Sequence, residues 1–148
     1  MFTNHSKLKH HDLPTKTAND FCMTVCTVNG SGSATANTTL LRSLFRMGIP
    51  VSGKNIFPSN IKGLPTWFSI RVSGDGYLGR VAHDDIIIQM NPQTIQKDIT
   101  YLVPGGVVFY ADHLDLQTSR DDLTVYPMPV KALIKEANVP RDYREYME

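Results

Sequence analysis

Phe21-Cys22-Met23-Thr24-Val25-Cys26-Thr27-Val28 leads directly into Asn29-Gly30-Ser31-Gly32-Ser33-Ala34, and helix-forming residues continue to Met47. An apolar run, a tight loop of small residues and a helix make a strand–turn–helix junction. The first turn of a helix has unpaired backbone N–H groups at its positive dipole end. Glycines let the chain turn sharply there and let an anion approach the backbone. Read alone, the loop fits either a phosphate seat or a tight corner between sheet and helix.

The helix reads from Ala34 to Met47, with Ala36, Leu40, Leu44 and Met47 on one stripe and Leu41 and Phe45 beside it. Arg42 and Arg46 suit its C-terminal end, and Gly48 stops it. Ile49-Pro50-Val51 then starts a second strand. Strand–helix–strand implies a parallel pair joined by a right-handed crossover. Ser52 to Pro65 has no helical or strand period and reads as a long irregular loop, with Lys54 and Lys62 flanking Ser59 and Asn60. Such loops often carry function, although a lysine on a loop is ordinarily just solvated.

Thr66 to Val72 reads as a strand, and Ser73-Gly74-Asp75-Gly76 as a turn that returns Tyr77 to Arg80 as a hairpin partner. Asp85 to Met90 is a short apolar run typical of a strand covered on both faces. A helix is expected over Thr94 to Tyr101, a buried strand at Val107 to Tyr110, a weaker strand at Leu123 to Tyr126 and a helix from Val130 to Ala137.

The chain has 148 residues, 41% of them hydrophobic, which suits one domain with a real core. No apolar stretch approaches the ~18–20 residues of a membrane span. The polar, histidine-rich segment from Met1 to Asp20 lacks the apolar core of a secretory signal and reads as a flexible arm. Net charge is +1, and no basic stripe interleaves with aromatics, so neither nucleic acid nor an acidic membrane is an expected partner. Cys22 and Cys26 lie on one side of a strand. That spacing does not suit a disulfide, so they read as small buried hydrophobes in a reducing cytoplasm.

The loop is not a dinucleotide fingerprint, because Ala36 stands where the third glycine belongs and no acid lies about 20 residues on. It is not a Walker loop either, since no Gly-Lys-Ser/Thr follows. His5, His10 and His11 sit in the arm with poor spacing for a metal. His83 with Asp84 and Asp85, and His113 with Asp112 and Asp115, offer bases beside carboxylates but no nucleophile. Arg71 and Trp67 share a strand face and read as an edge cation over apolar surface. No catalytic residue and no metal ligand is therefore expected.

Three ordered blocks carry a resemblance. They are Val28 to Ala34, Phe45-Arg46-Met47-Gly48-Ile49-Pro50-Val51-Ser52-Gly53-Lys54-Asn55, and Phe57-Pro58-Ser59-Asn60-Ile61-Lys62-Gly63-Leu64-Pro65-Thr66-Trp67. Met90-Asn91-Pro92-Gln93-Thr94 and Val103 to Tyr110 also fit. Together they resemble the gamma domain of the 2-oxoacid:ferredoxin (acceptor) oxidoreductases, the N-terminal part of the alpha subunit in two-subunit members, closest to the 2-oxoglutarate branch. The resemblance covers roughly Cys22 to Glu148.

The resemblance implies a three-layer α/β fold over 21–148: a mostly parallel sheet with helices on both faces and an antiparallel hairpin, continuing in the family beyond Glu148. It implies a share in oxidative decarboxylation of a 2-oxoacid to an acyl-CoA, with electrons passing to ferredoxin. Thiamine diphosphate, magnesium and iron–sulfur clusters are then expected in partner domains or subunits. Coenzyme A is the ligand implied here, its phosphates met by Gly30, Ser31, Gly32, Ser33, Lys54, Ser59 and Lys62. Many gamma domains carry Gly-x-Gly-Gly-Gln-Gly in this loop, whereas this chain has Gly30-Ser31-Gly32-Ser33-Ala34-Thr35. The departure leaves a second possibility, a scaffold domain of the same fold with no cofactor.

Overall fold

The apolar run forms β1 (Asp20–Val28), and the small-residue loop turns it into α1 (Ser33–Arg46). In the computed structural model, which describes residues 19–59 and 61–137, there follow β2 (Val51–Ile56), β3 (Pro65–Ser73) and β4 (Asp84–Gln89). A short α2 (Ile95–Asp98) passes through a 3-10 turn (Ile99–Tyr101) into β5 (Leu102–Ala111). β6 (Thr124–Met128) and α3 (Val130–Glu136) complete the order. The arm over residues 1–18 with its three histidines, Asn60, and the C-terminal residues from 138 lie outside the described residues.

The six strands make one sheet in the order β2-β3-β1-β4-β5-β6. β1, β4, β5 and β6 pair in parallel, while β3 runs antiparallel to both β1 and β2. β1 and β2 share a direction, as a strand–helix–strand unit requires, but they are not neighbours because β3 lies between them. The antiparallel hairpin is therefore β2–β3, not Thr66–Val72 with Tyr77–Arg80. Both edges of β3 are already paired, so residues 77–80 have no edge to join. They cross the sheet surface instead, where Leu78 O accepts the Ser52 hydroxyl at 2.7 Å.

α1 covers one face. Met23, Phe68, Ile70 and Val72 are buried there against Leu41 and Leu44. The side of α1 facing the sheet is Asn37, Leu41 and Leu44, while Leu40, Phe45 and Met47 are exposed. The expected stripe is displaced because its first inward position holds a polar residue, Asn37, which breaks the apolar pattern. β2 passes close beneath this helix at Gly53, where a Cβ would stand 2.8 Å from Leu41 Cδ2 and 3.1 Å from Phe68 Cε1.

The opposite face buries Cys26, Ile87 and Val108 beneath Ile99 and Leu102. A further cluster of Ile95, Ala111, Leu114, Val130 and Ile134 joins α2 to α3. Both cysteines are free and buried, and burial raises both thiol pKa values, that of Cys26 strongly. Pro104-Gly105-Gly106 lies within β5. The register jumps from Asp84↔Leu102 to Ile86↔Val107, so Val103, Pro104, Gly105 and Gly106 bulge opposite Asp85 alone. Arg120 ties this bulge down by donating to the carbonyls of Ile99, Leu102 and Val103, and Asp122 accepts the Gly105 N–H at 3.0 Å. No helix among the described residues is long and apolar enough to cross a membrane.

Candidate functional site

The junction after β1 is built on two glycines in the left-handed region, Gly30 at φ +86 and Gly32 at φ +75, a backbone that disfavours a side chain. Gly32 caps α1 with no side-chain bond, and no acidic residue occupies the first turn. Ser31 N–H donates to Val28 O at 3.3 Å and Thr35 N–H to Gly32 O at 3.2 Å. No backbone acceptor among the described residues takes the amides of Gly32, Ser33 or Ala34. They open toward a cavity of about 260 Å³ walled by Thr27, Gly30, Gly32, Ser33, Asn37 and Thr66, among others. Bare first-turn amides at the positive end of a helix dipole favour negative charge nearby.

The second loop packs against the glycine loop. Asn29 N–H donates to Leu64 O at 2.7 Å, and Gly63 N–H returns a bond to Asn29 O at 2.9 Å. The Asn29 carboxamide reaches Ile61 O at 3.1 Å and Ser59 O at 3.4 Å. This brings the Lys62 stem over Gly30, where a Cβ would come within 2.9 Å of Lys62 Cγ.

Of the residues named from the sequence, Gly30, Gly32 and Ser33 line the cavity. The Ser33 hydroxyl shares a 2.8 Å hydrogen bond with that of Thr27. Ser31 Oγ is buried with no partner among the described residues. Lys62 is brought to the loop. Ser59 belongs to the second loop, but its hydroxyl accepts the Ile61 N–H at 3.3 Å.

Lys54 does not join them. It sits on strand β2 rather than in a loop, paired with Ser69. Strand alternation puts it on the face away from α1, while its neighbour Asn55 lines the cavity. Asn29, Asn37, Asn55 and Thr66 were not legible as site residues. The buried position of a polar residue on α1, Asn37, was the one available signal.

The cavity wall offers amide N–H groups, hydroxyls and carboxamides, and no Cys, His, Asp or Glu. It is equipped to hold an anion and lacks a general base or thiol nucleophile. Among the described residues, His83 and His113 do not assemble into a base–nucleophile pair. Asp84 accepts from Thr24 Oγ1 at 2.7 Å and its carboxyl pKa is raised by burial. Asp85 accepts the Cys22 N–H at 2.9 Å. His113 lies 4.0 Å from Asp112 on the surface, while Asp115 accepts from Gln117. Among the described residues no three His, Cys, Asp or Glu are placed to hold a metal.

A buried polar centre lies at Asp98, which carries no motif in the sequence. The buried Asp98 carboxylate accepts from Trp67 Nε1 at 3.0 Å, Gln89 Nε2 at 2.7 Å and Thr94 Oγ1 at 2.6 Å. Gln89 in turn accepts the Asn91 N–H, and Asn91 donates to Thr27 O. This chain of buried bonds fixes the end of β1 from which the glycine loop departs.

Three solved structures share the fold. The 2-oxoglutarate:ferredoxin oxidoreductase from Magnetococcus marinus, with 2-oxoglutarate, coenzyme A and succinyl-CoA bound, superposes with a TM-score of 0.66 at 20% identity, over 88% of this chain and 23% of that one. The pyruvate oxidoreductase subunit PORC from Thermotoga maritima gives 0.62 at 15% identity, over 81% of this chain and 68% of that one. The gamma subunit of a keto/oxoacid ferredoxin oxidoreductase from Geobacter sulfurreducens gives 0.63 at 13%, over 85% and 69%. This chain thus spans under a quarter of the Magnetococcus chain. No curated protein matches. The family model for pyruvate ferredoxin/flavodoxin oxidoreductase matches residues 22–144. With the mixed sheet of the gamma subunits and a family match over most of its length, the chain belongs to the pyruvate ferredoxin/flavodoxin oxidoreductase family.

Proposed function

We propose that residues 21–148 are the gamma-type domain of a cytoplasmic 2-oxoacid:ferredoxin oxidoreductase, of the 2-oxoglutarate type, and that the glycine loop holds a phosphate of coenzyme A. The observation that carries this reading is the set of bare amides at Gly32, Ser33 and Ala34 facing a cavity beside Lys62. Phosphate is the anion best matched to a dipole end plus one mobile ammonium. The buried, unpartnered Ser31 hydroxyl marks unused hydrogen-bonding capacity at this turn. The Magnetococcus protein with coenzyme A and succinyl-CoA bound supports the choice of ligand.

In this reading the chain binds and orients the carrier's phosphate and supplies subunit contacts. The thiamine-binding regions, with their thiamine diphosphate, magnesium and iron–sulfur clusters, belong to partner domains or subunits. Ferredoxin meets the assembly there rather than here. The chain alone turns over no 2-oxoacid.

In the complex assembled with its partner subunits, Lys62→Ala should raise the KM for coenzyme A by about five- to tenfold and leave that for the 2-oxoacid unchanged. An unchanged coenzyme A dependence rejects the loop assignment. The second reading, a scaffold with no cofactor, is favoured by Ser33, Ala34 and Thr35, which stand where many gamma domains have Gly-Gln-Gly. Calorimetric binding of coenzyme A to neither the chain nor the complex would establish it.

A further inference from the structure

On the face of β2 and β3 away from α1, a second cavity of about 250 Å³ is lined by Ser52, Lys54, Ser69, Arg71 and Arg80. We propose that it is a phosphate-binding site, for a free phosphate or a phosphate ester, separate from the glycine loop.

Three cationic side chains converge on a recess large enough for several waters at roughly 30 Å³ each. Arg71 is tied to Asp20 and donates Nη1–H to Val72 O at 2.7 Å. Its Nε is buried with no acceptor among the described residues. Arg80 lies close enough to Asp84 to act on that carboxyl. Lys54 has no ion-pair partner among the described residues. The cluster therefore keeps an uncompensated cation beside two further guanidinium groups, an arrangement that an anion relieves.

The choice of anion follows from the arginine geometry. A planar carboxylate engages one guanidinium fork and leaves donors that approach from other directions unmet. The Arg71 fork is already spent on Asp20 and Val72 O. What remains are separated donors, the Lys54 ammonium, the Arg80 guanidinium and the hydroxyls of Ser52 and Ser69, approaching from different directions. That suits a tetrahedral dianion. Arg80 also borders a neighbouring cavity of about 200 Å³ that includes Trp67 and Tyr101 in its wall, which leaves room for the organic part of an ester.

The test is an amide and indole NMR titration of the full 148-residue chain with inorganic phosphate and, separately, with adenosine 5′-monophosphate at matched ionic strength. Saturable shifts at Ser52, Lys54, Ser69 and Arg80 are expected, weakened about tenfold in Lys54→Ala and further in Lys54→Ala/Arg80→Ala. Additional movement of the Trp67 indole with the nucleotide assigns an ester, and shifts with phosphate alone assign the free ion. Lys54 is exposed on an edge strand, so its variant tests the site without threatening the fold. Shifts confined to Gly30 and Gly32 overturn this proposal and leave the glycine-loop reading standing. Equal shifts with sodium chloride, or no change in Lys54→Ala, also overturn it.

Discussion

The Lys62 side chain lies over the α-carbon of Gly30, so close that a Cβ there would stand 2.9 Å from Lys62 Cγ. Gly30 also holds φ +86. Gly30→Ala should therefore act twice, costing about 1–2 kcal/mol in backbone strain and displacing the Lys62 side chain from the glycine loop. A fall in Tm of roughly 3–8 °C, with coenzyme A binding weakened further than in Lys62→Ala, is the expected outcome. A variant as stable as the parent would show that the turn does not need its left-handed residue.

Asp98 gathers three donors, Trp67, Gln89 and Thr94. Asp98→Ala leaves them buried and unpaired and should cost about 3–5 kcal/mol. Trp67 is the only tryptophan, so its fluorescence reports the site directly. A red shift in the folded variant, with a lowered denaturation midpoint, is expected.

The Arg120–Asp122 pair predicts the acid limb. Arg120 and the Gly105 N–H hold the Asp122 carboxyl down to about 2, below its unfolded value of about 3.9. In that window the unfolded chain binds more protons, so stability is present above about pH 4 and is lost as pH falls toward 2. The Tm difference between the parent and Asp122→Asn should shrink over that interval and vanish below it.

Asp84 works with the opposite sign. Burial raises its pKa in the folded state, so the folded chain binds the extra proton and stability falls as pH rises from the unfolded value through the raised one. Asp84→Asn should remove that decline while Thr24 keeps an acceptor. A pH profile identical to the parent's would place the burden elsewhere.

The parts read correctly from sequence are those whose period survives translation into structure. The strand–glycine–helix junction, the apolar run of β4 and the helix after Pro129 each carry their own local signal. β2 carries none. Val51-Ser52-Gly53-Lys54-Asn55-Ile56 is poor in strand formers, and its pairing with β3 rather than local preference makes it a strand. From reading the rest of β2 as loop came the wrong hairpin and the placement of Lys54 in a loop, while the supposed adjacency of β1 and β2 failed because β3 inserts between them. The tight turns at Gly30 and Gly32 were legible because turn chemistry is local. The roles of Asp98 and Arg120 were not, because Trp67 lies 31 residues from Asp98 and Arg120 meets backbone carbonyls of Ile99, Leu102 and Val103 that no side-chain pattern announces.

Gly53 beneath Leu41 and Phe68 has a consequence for strand registry. A side chain at that inward position would force Leu41 and Phe68 to give way, which favours the alignment that places Gly53 there. Sliding it by a single residue would drive Lys54 into the apolar layer and turn Asn55 outward, emptying both polar recesses at once. A missing methyl group thus acts as an alignment key: it keeps an otherwise weak edge strand from docking out of step, and with it the separation of the molecule's two candidate anion seats.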